Sequence, residues 1–231
     1  MPCPVCRVGA TRLCAGSVVY DETLESKRSH DQEYWGPEYI EFTFTAGAEC
    51  NNNSCSQKFA LAGVGGIDQV IDTDGNSDWI ESFSLRYISP TPNMITLPVK
   101  CPSSVRNRLR EAFQLYWIDA EACANRLRSS LELLLTHLGV PEQDFAKLDK
   151  PQALRLHKRI EIYSASNPHV AAHLMALKWL GNAGSHGKEV GRHDILDALE
   201  LLEHALAEML EKRTEKLVEL AAKLTARHGP A

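Results

Sequence analysis

At 231 residues, 44% hydrophobic and 24% charged, the chain has an ordinary globular composition, with room for one large domain or two small ones. A net charge of −5 excludes a globally basic polyanion binder, so any basic surface must be local. No apolar run reaches bilayer length, and MPCPVCRVGATRLC carries no apolar signal core, which predicts a cytoplasmic protein without membrane contact.

Residues 1–88 read as strands and loops. After an exposed loop over Tyr20 to Pro37, Tyr39 to Ala46 alternates, with Ile40, Phe42 and Phe44 on one face of a half-buried strand. KFALAGVGG is a second short strand ending at Gly65-Gly66, and Trp79 to Ile88 is a third. DTDGNSD between them is turn chemistry, since no glutamate falls where a calcium loop needs its bidentate ligand. Four prolines in Ser89 to Pro102 predict an extended linker over 89–102.

From 103 to 231 the pattern is helical. One helix follows a cap at Ser103 or Ser104. A second, over about 119–138, stacks Ala124, Leu127, Leu131, Leu134 and Leu138 and stops at Gly139. PEQDFAKL predicts a short helix, and Asp149 a cap for a helix with Leu156, Ile160 and Tyr163 inward. Asn167 and Pro168 open another. A last, long helix is expected from about Asp194 to Arg227, its Ile195–Leu199–Leu202–Leu206–Leu210 seam fading toward the end.

Seven cysteines, in a reducing compartment, point to metal before disulfides. CPVC (Cys3, Cys6) and CNNNSC (Cys50, Cys55) are two thiolate pairs, able to close a tetrahedral site around one structural zinc per chain. Cys14 is a further candidate ligand, while Cys101 and Cys123 read as packing residues.

In the helical region, Glu121, Asn125, Arg128, Glu132 and Thr136 form a polar stripe, with Arg128 and Glu132 at pairing distance. WLGNAGSH breaks a hydrophobic helix with two glycines, each costing roughly 0.8–1.0 kcal/mol against alanine. It sets Asn182 and His186 four residues apart, so both can serve one pocket, or the step is only a helix end. His169 and His173 make an incomplete metal pair. RLHKR is a small basic cluster, either a phosphate contact or a solvated face. No Walker loop, GxGxxG, HExxH or GxSxG motif occurs.

CANRLRSSLELLLTHLGV, LHKRIEIY, ALKWLGNAGSH and DILDALELLEHALAEML in this order resemble the domain-of-unknown-function 4145 family, with its R-x-x-L-E helix and later G-N-x-x-x-H. CPVC and CNNNSCSQKFALAG are similar to the zinc-ribbon segment that often precedes that domain. The resemblance implies an α+β chain, a small zinc-ribbon-like β domain followed by an all-α HEPN-like bundle. HEPN relatives include metal-independent ribonucleases of bacterial defence and restriction systems, which pair as homodimers and use an arginine and a histidine. Here Gly181 stands at the arginine, beside Asn182 and His186, which argues against cleavage. The resulting expectation is a non-catalytic binding or regulatory homodimer contacting RNA, DNA or a partner protein, with Arg128, Glu132 and Lys178 as binding residues. A ribonuclease using His186 and Asn182, and a dimeric scaffold, are the alternatives.

Overall fold

The computed structural model describes residues 3–144, 152–184 and 189–229, which fall into two compact units, 1–92 and 93–231. The first holds β1 (Thr11–Leu13), β2 (Val19–Glu22), α1 (Leu24–Ser29), β3 (Glu41–Cys50), β4 (Lys58–Ile71) and β5 (Ser77–Ser89). The sheet is antiparallel in the order β1-β3-β4-β5, with β2 beside β1 on the same edge of β3. The alternation in YIEFTFTA thus marks a central strand. The β4 and β5 strands are longer than their apolar runs, and the 20–37 stretch contains the end of β2 and all of α1. In α1, the Thr23 hydroxyl caps the Ser26 N–H.

Glycines in β4 receive aromatic rings from the neighbouring strands. Gly63 lies opposite Phe44, and a Cβ there would sit 2.6 Å from that ring. Phe83 packs edge-on against Phe44 and Tyr20. The loop between β4 and β5 is a turn, as expected. The Asp72 carboxylate accepts the N–H groups of Asp74 and Asn76, and the Asn76 contacts hold its pKa below the usual carboxylate value.

The second unit comprises α2 (Ser103–Leu115), α3 (Ala120–His137), the two-residue strands β6 (Gln143–Asp144) and β7 (Gln152–Ala153), α4 (Leu156–Ser164), α5 (Ala171–Ala183), α6 (Arg192–Glu211) and α7 (Arg213–His228). Asp119 caps α3 through the Ala122 N–H, and Gly139, at φ +78°, ends the chain's run out of it. The core unites Leu109 and Phe113 of α2, Leu127, Leu131 and Leu134 of α3, Ile160 of α4, Leu174 and Leu177 of α5, and Ile195, Leu202 and Leu206 of α6. The inward stripes read from spacing are buried except at Leu138, Tyr163 and Leu210, which are half-buried at the margin of the core.

Four local expectations change. Pro102 precedes α2 with no side-chain cap, and Ser103 is already its first residue, so neither Ser103 nor Ser104 caps it. Gln143 and Asp144 pair with Ala153 and Gln152 as a β-ladder where a short helix was expected; the rest of that segment, with Asp149, lies outside the described residues. The proline-rich stretch is not a free tether throughout. From Asn93 it belongs to the helical unit, where Ile95 and Cys101 are buried and the N–H groups of Thr96 and Val99 donate to Glu203 and Glu211 of α6. The long C-terminal helix, α6, ends at Lys212, whose φ of +52° turns the chain into α7. Every residue of α7 is exposed, which is why the apolar seam fades there.

Candidate metal centre and cationic cleft

The first pair of cysteines is shaped by a tight turn. Arg7 donates its N–H to the Cys3 carbonyl at 2.9 Å with φ +58°, and Gly9 donates to the Cys6 Sγ at 3.4 Å. The second pair repeats the device. Asn52 donates its N–H to the Cys50 Sγ at 3.4 Å, and Ser56 closes the turn onto the Asn52 carbonyl with φ +46°. β3 carries Cys50 at its end, and its pairing with β1 returns the N-terminal knuckle to the same place.

All four sulfurs lie within 4.8 Å of one another. Cys3 and Cys55 are 4.0 Å apart, Cys6 and Cys50 3.7 Å. Four bonds of ~2.3 Å to a tetrahedral ion imply S···S edges of about 3.8 Å, so the donor set fits a thiolate-bound cation. The N–H groups of Gly9 and Val8 draw the Cys6 thiol down to about 6, favouring the thiolate form that a metal ligand needs. Burial pushes the Cys50 thiol up to about 12. Gly9 is obligatory here, since a Cβ would sit 2.6 Å from the Cys50 Sγ. Cys14 is not part of the group, and Cys101 and Cys123 are buried in the helical core.

In the helical unit an open cleft of about 980 Å³ is lined by residues of α3, β6, β7, α4 and α5. It brings together Arg128 and Glu132 of the polar stripe with Lys178 and Asn182 at the glycine step. His186 lies outside the described residues. The Arg128 guanidinium bonds Glu132 at 2.8 Å and the Asn125 side-chain oxygen at 3.1 and 3.2 Å. Lys178 is 8% exposed, its ammonium held 3.1 Å from the centre of the Trp179 ring.

Arg159, from the RLHKR cluster, lines the same cleft and is 5% exposed rather than solvated. It donates to the Glu132 carbonyl, the Thr136 hydroxyl and the Val140 carbonyl. The signal was present in the spacing, because Arg159 lies three residues after Leu156 and four before Tyr163, on the inward stripe. Among the described lining residues, five cations (Arg128, Arg155, Lys158, Arg159, Lys178) face three carboxylates (Glu132, Glu142, Asp144).

The glycine step has a packing cause. A Cβ on Gly181 would meet the Arg128 Cβ at 2.5 Å and the Ala124 carbonyl at 3.0 Å, and one on Gly184 the Glu121 carbonyl at 2.8 Å. α5 therefore touches α3 backbone to side-chain root, one turn after another. Position 181 is buried in that contact.

The profile of a domain of unknown function, DUF4145, matches residues 110–227, just over half of the sequence. The chain belongs to this family. All the lining residues of the cleft fall inside the DUF4145 region. A second domain of unknown function, DUF8608, matches residues 1–91, which carry the four clustered cysteines. Searches of curated proteins and of solved structures found no match. The two regions differ sharply in charge. Residues 1–92 carry six Lys and Arg against thirteen Asp and Glu, a formal −7, whereas residues 93–231 carry nineteen against seventeen, a formal +2.

Proposed function

We propose that the chain is a non-catalytic binding protein whose DUF4145 region holds nucleic acid in the α3–α5 cleft, while zinc in the four-cysteine centre keeps the β unit folded. The observation that carries the reading is the cleft itself, an excess of cations in an overall acidic chain, two of them nine-tenths buried. The −7 of the β unit speaks against a polyanion contact there, so its metal has a folding role. Zinc held by Cys3, Cys6, Cys50 and Cys55 has no open position for water, and its chemistry is that of a cross-link.

A ribonuclease of the HEPN kind needs an arginine where this chain has Gly181. That position is buried, and a Cβ there would already sit 2.5 Å from the Arg128 Cβ and 3.0 Å from the Ala124 carbonyl. The packing therefore supports binding over cleavage. Arg128, Lys178 and Asn182 are the contact residues in this reading, with Glu132 orienting Arg128. The setting in bacterial defence or restriction rests on the family resemblance alone.

A second reading, self-association, is supported by α7. Leu217, Leu220 and Leu224 are all more than half exposed on one stripe of a helix that buries nothing. A stop codon after Glu211 then converts a dimer to a monomer by light scattering; an unchanged mass would remove α7 from the interface.

The decisive experiment incubates labelled mixed RNA with protein in magnesium-free buffer. The expected result is retarded, uncut RNA, with the shift falling as salt rises and weakened in Lys178→Met. Cleavage by wild type that His186→Ala abolishes would overturn the non-catalytic reading. Metal analysis should find one zinc per chain, lost in Cys50→Ser.

A further inference from the structure

We infer that the cleft contains a phosphate subsite, made by Lys178 and Arg159, that takes the terminal phosphate of a nucleotide unit whose base stacks on Trp179. The inference rests on the cleft-binding reading above and narrows it to a strand end or a free nucleotide.

Lys178 is 8% exposed as a whole residue, its ammonium reaches the cleft surface, and among the described residues it has no ion pair and no hydrogen bond. Its ammonium lies 3.1 Å from the centre of the Trp179 ring. Arg159 is 5% exposed, and its three partners are neutral oxygens, two carbonyls and a hydroxyl; its Nε has none. Buried cations without a counter-charge are costly, so they persist where an anion completes them. Of the carboxylates in the cleft, Glu132 is paired with Arg128 at 2.8 Å and Glu142 accepts from the Thr136 hydroxyl.

The charge count selects the anion. A phosphate monoester carries about −1.5 to −2 at neutral pH, matching two cations, whereas an internal phosphodiester carries one charge. Trp179 supplies the rest of the class. It is 59% exposed, an unusual position for so large a ring, and lines the same cleft with His157, whose ring centre is 6.4 Å away. An exposed aromatic beside a cation is the pairing that holds an unstacked base next to its phosphate. The cleft, about 980 Å³, is at the upper end of the roughly 300–1,000 Å³ of small-ligand sites, room enough for a nucleotide unit.

The test titrates full-length protein by calorimetry with a five-residue oligoadenylate bearing a 5′-phosphate, a 3′-phosphate or neither, and with AMP. The expected result is at least tenfold tighter binding of one phosphorylated oligomer over the unphosphorylated one. Lys178→Met should abolish that preference with an unchanged or raised melting temperature, because it removes a buried charge and keeps its volume. Trp179→Ala, at an exposed position, should weaken AMP and oligomer alike. If neither terminal phosphate improves binding, the subsite is wrong while nucleic-acid binding stands. If AMP binds as tightly as any oligomer, the subsite stands and the polymer reading falls. No binding of any of these ligands overturns both.

Discussion

At Gly181, two local effects oppose each other. Alanine would gain up to ~1 kcal/mol of helix propensity, but its methyl would land 2.5 Å from the Arg128 Cβ. Overpacking of that kind costs about 1–3 kcal/mol, so Gly181→Ala is expected to lower the urea midpoint of the helical unit. Gly181→Arg should lower it further and create no ribonuclease activity; a folded, RNA-cleaving arginine variant would refute the packing account. In the β unit, Glu22 accepts the Ser26 hydroxyl and the His30 Nε2, both at 2.6 Å, and the Ser26 contact leads in holding its pKa below the ordinary glutamate value. A depressed carboxylate stabilises the fold above its unfolded pKa, about 4.3, and loses that contribution as pH falls through the folded value. Glu22→Gln should therefore melt earlier than wild type at pH 7, with the gap closing below about pH 4.

Elements whose faces are set by periodicity were the legible ones. The leucine stripe of α3 is buried up to the half-buried Leu138, and the alternation through β3 names buried Phe44 with half-buried Ile40 and Phe42 beside it. What spacing did not reveal depends on partners distant in sequence. β1 and β2 are three and four residues long and exist because β3 offers an edge. The β6–β7 ladder depends on pairing across the 145–151 segment, outside any local window. The α6–α7 break has no glycine to announce it. Lys212 takes a left-handed conformation while the buried Glu208 carboxylate accepts the Thr214 N–H at 3.0 Å and its hydroxyl at 2.9 Å, starting the next helix. Glu208→Ala should leave Thr214 without these acceptors, and its amide should exchange with solvent at least tenfold faster. Unchanged exchange would mean that α7 starts without help from Glu208.

For the molecule as a whole, the cores of the two units are unequal. Among its described residues the β unit buries seven apolar side chains, and two of them, Cys3 and Cys50, belong to the four-cysteine cluster. The other five include two alanines, too little to offset the entropy of ordering some ninety residues. A structural zinc contributes about 10–16 kcal/mol in peptide systems, enough to decide the fold. Stripping it with a strong chelator should abolish the β-unit melting transition and leave the far-ultraviolet helical signal intact. Joint loss of both signals would show that the helical unit depends on the metal as well. The candidate sites were legible to different degrees for a related reason. Cysteine spacing names its own ligands, whereas the cleft joins α3 and α5, more than fifty positions apart, and only packing brings Arg128 beside Gly181.

That contact reaches beyond this one chain. The R-x-x-L-E and G-N-x-x-x-H signatures look like two independent marks in the sequence, yet the first residue of one rests on the first residue of the other. A relative that gains a side chain at position 181 must either give up the Cβ at 128, and with it the arginine, or move its helices apart and reshape the cleft. Across the family, the glycine and the arginine should be lost together.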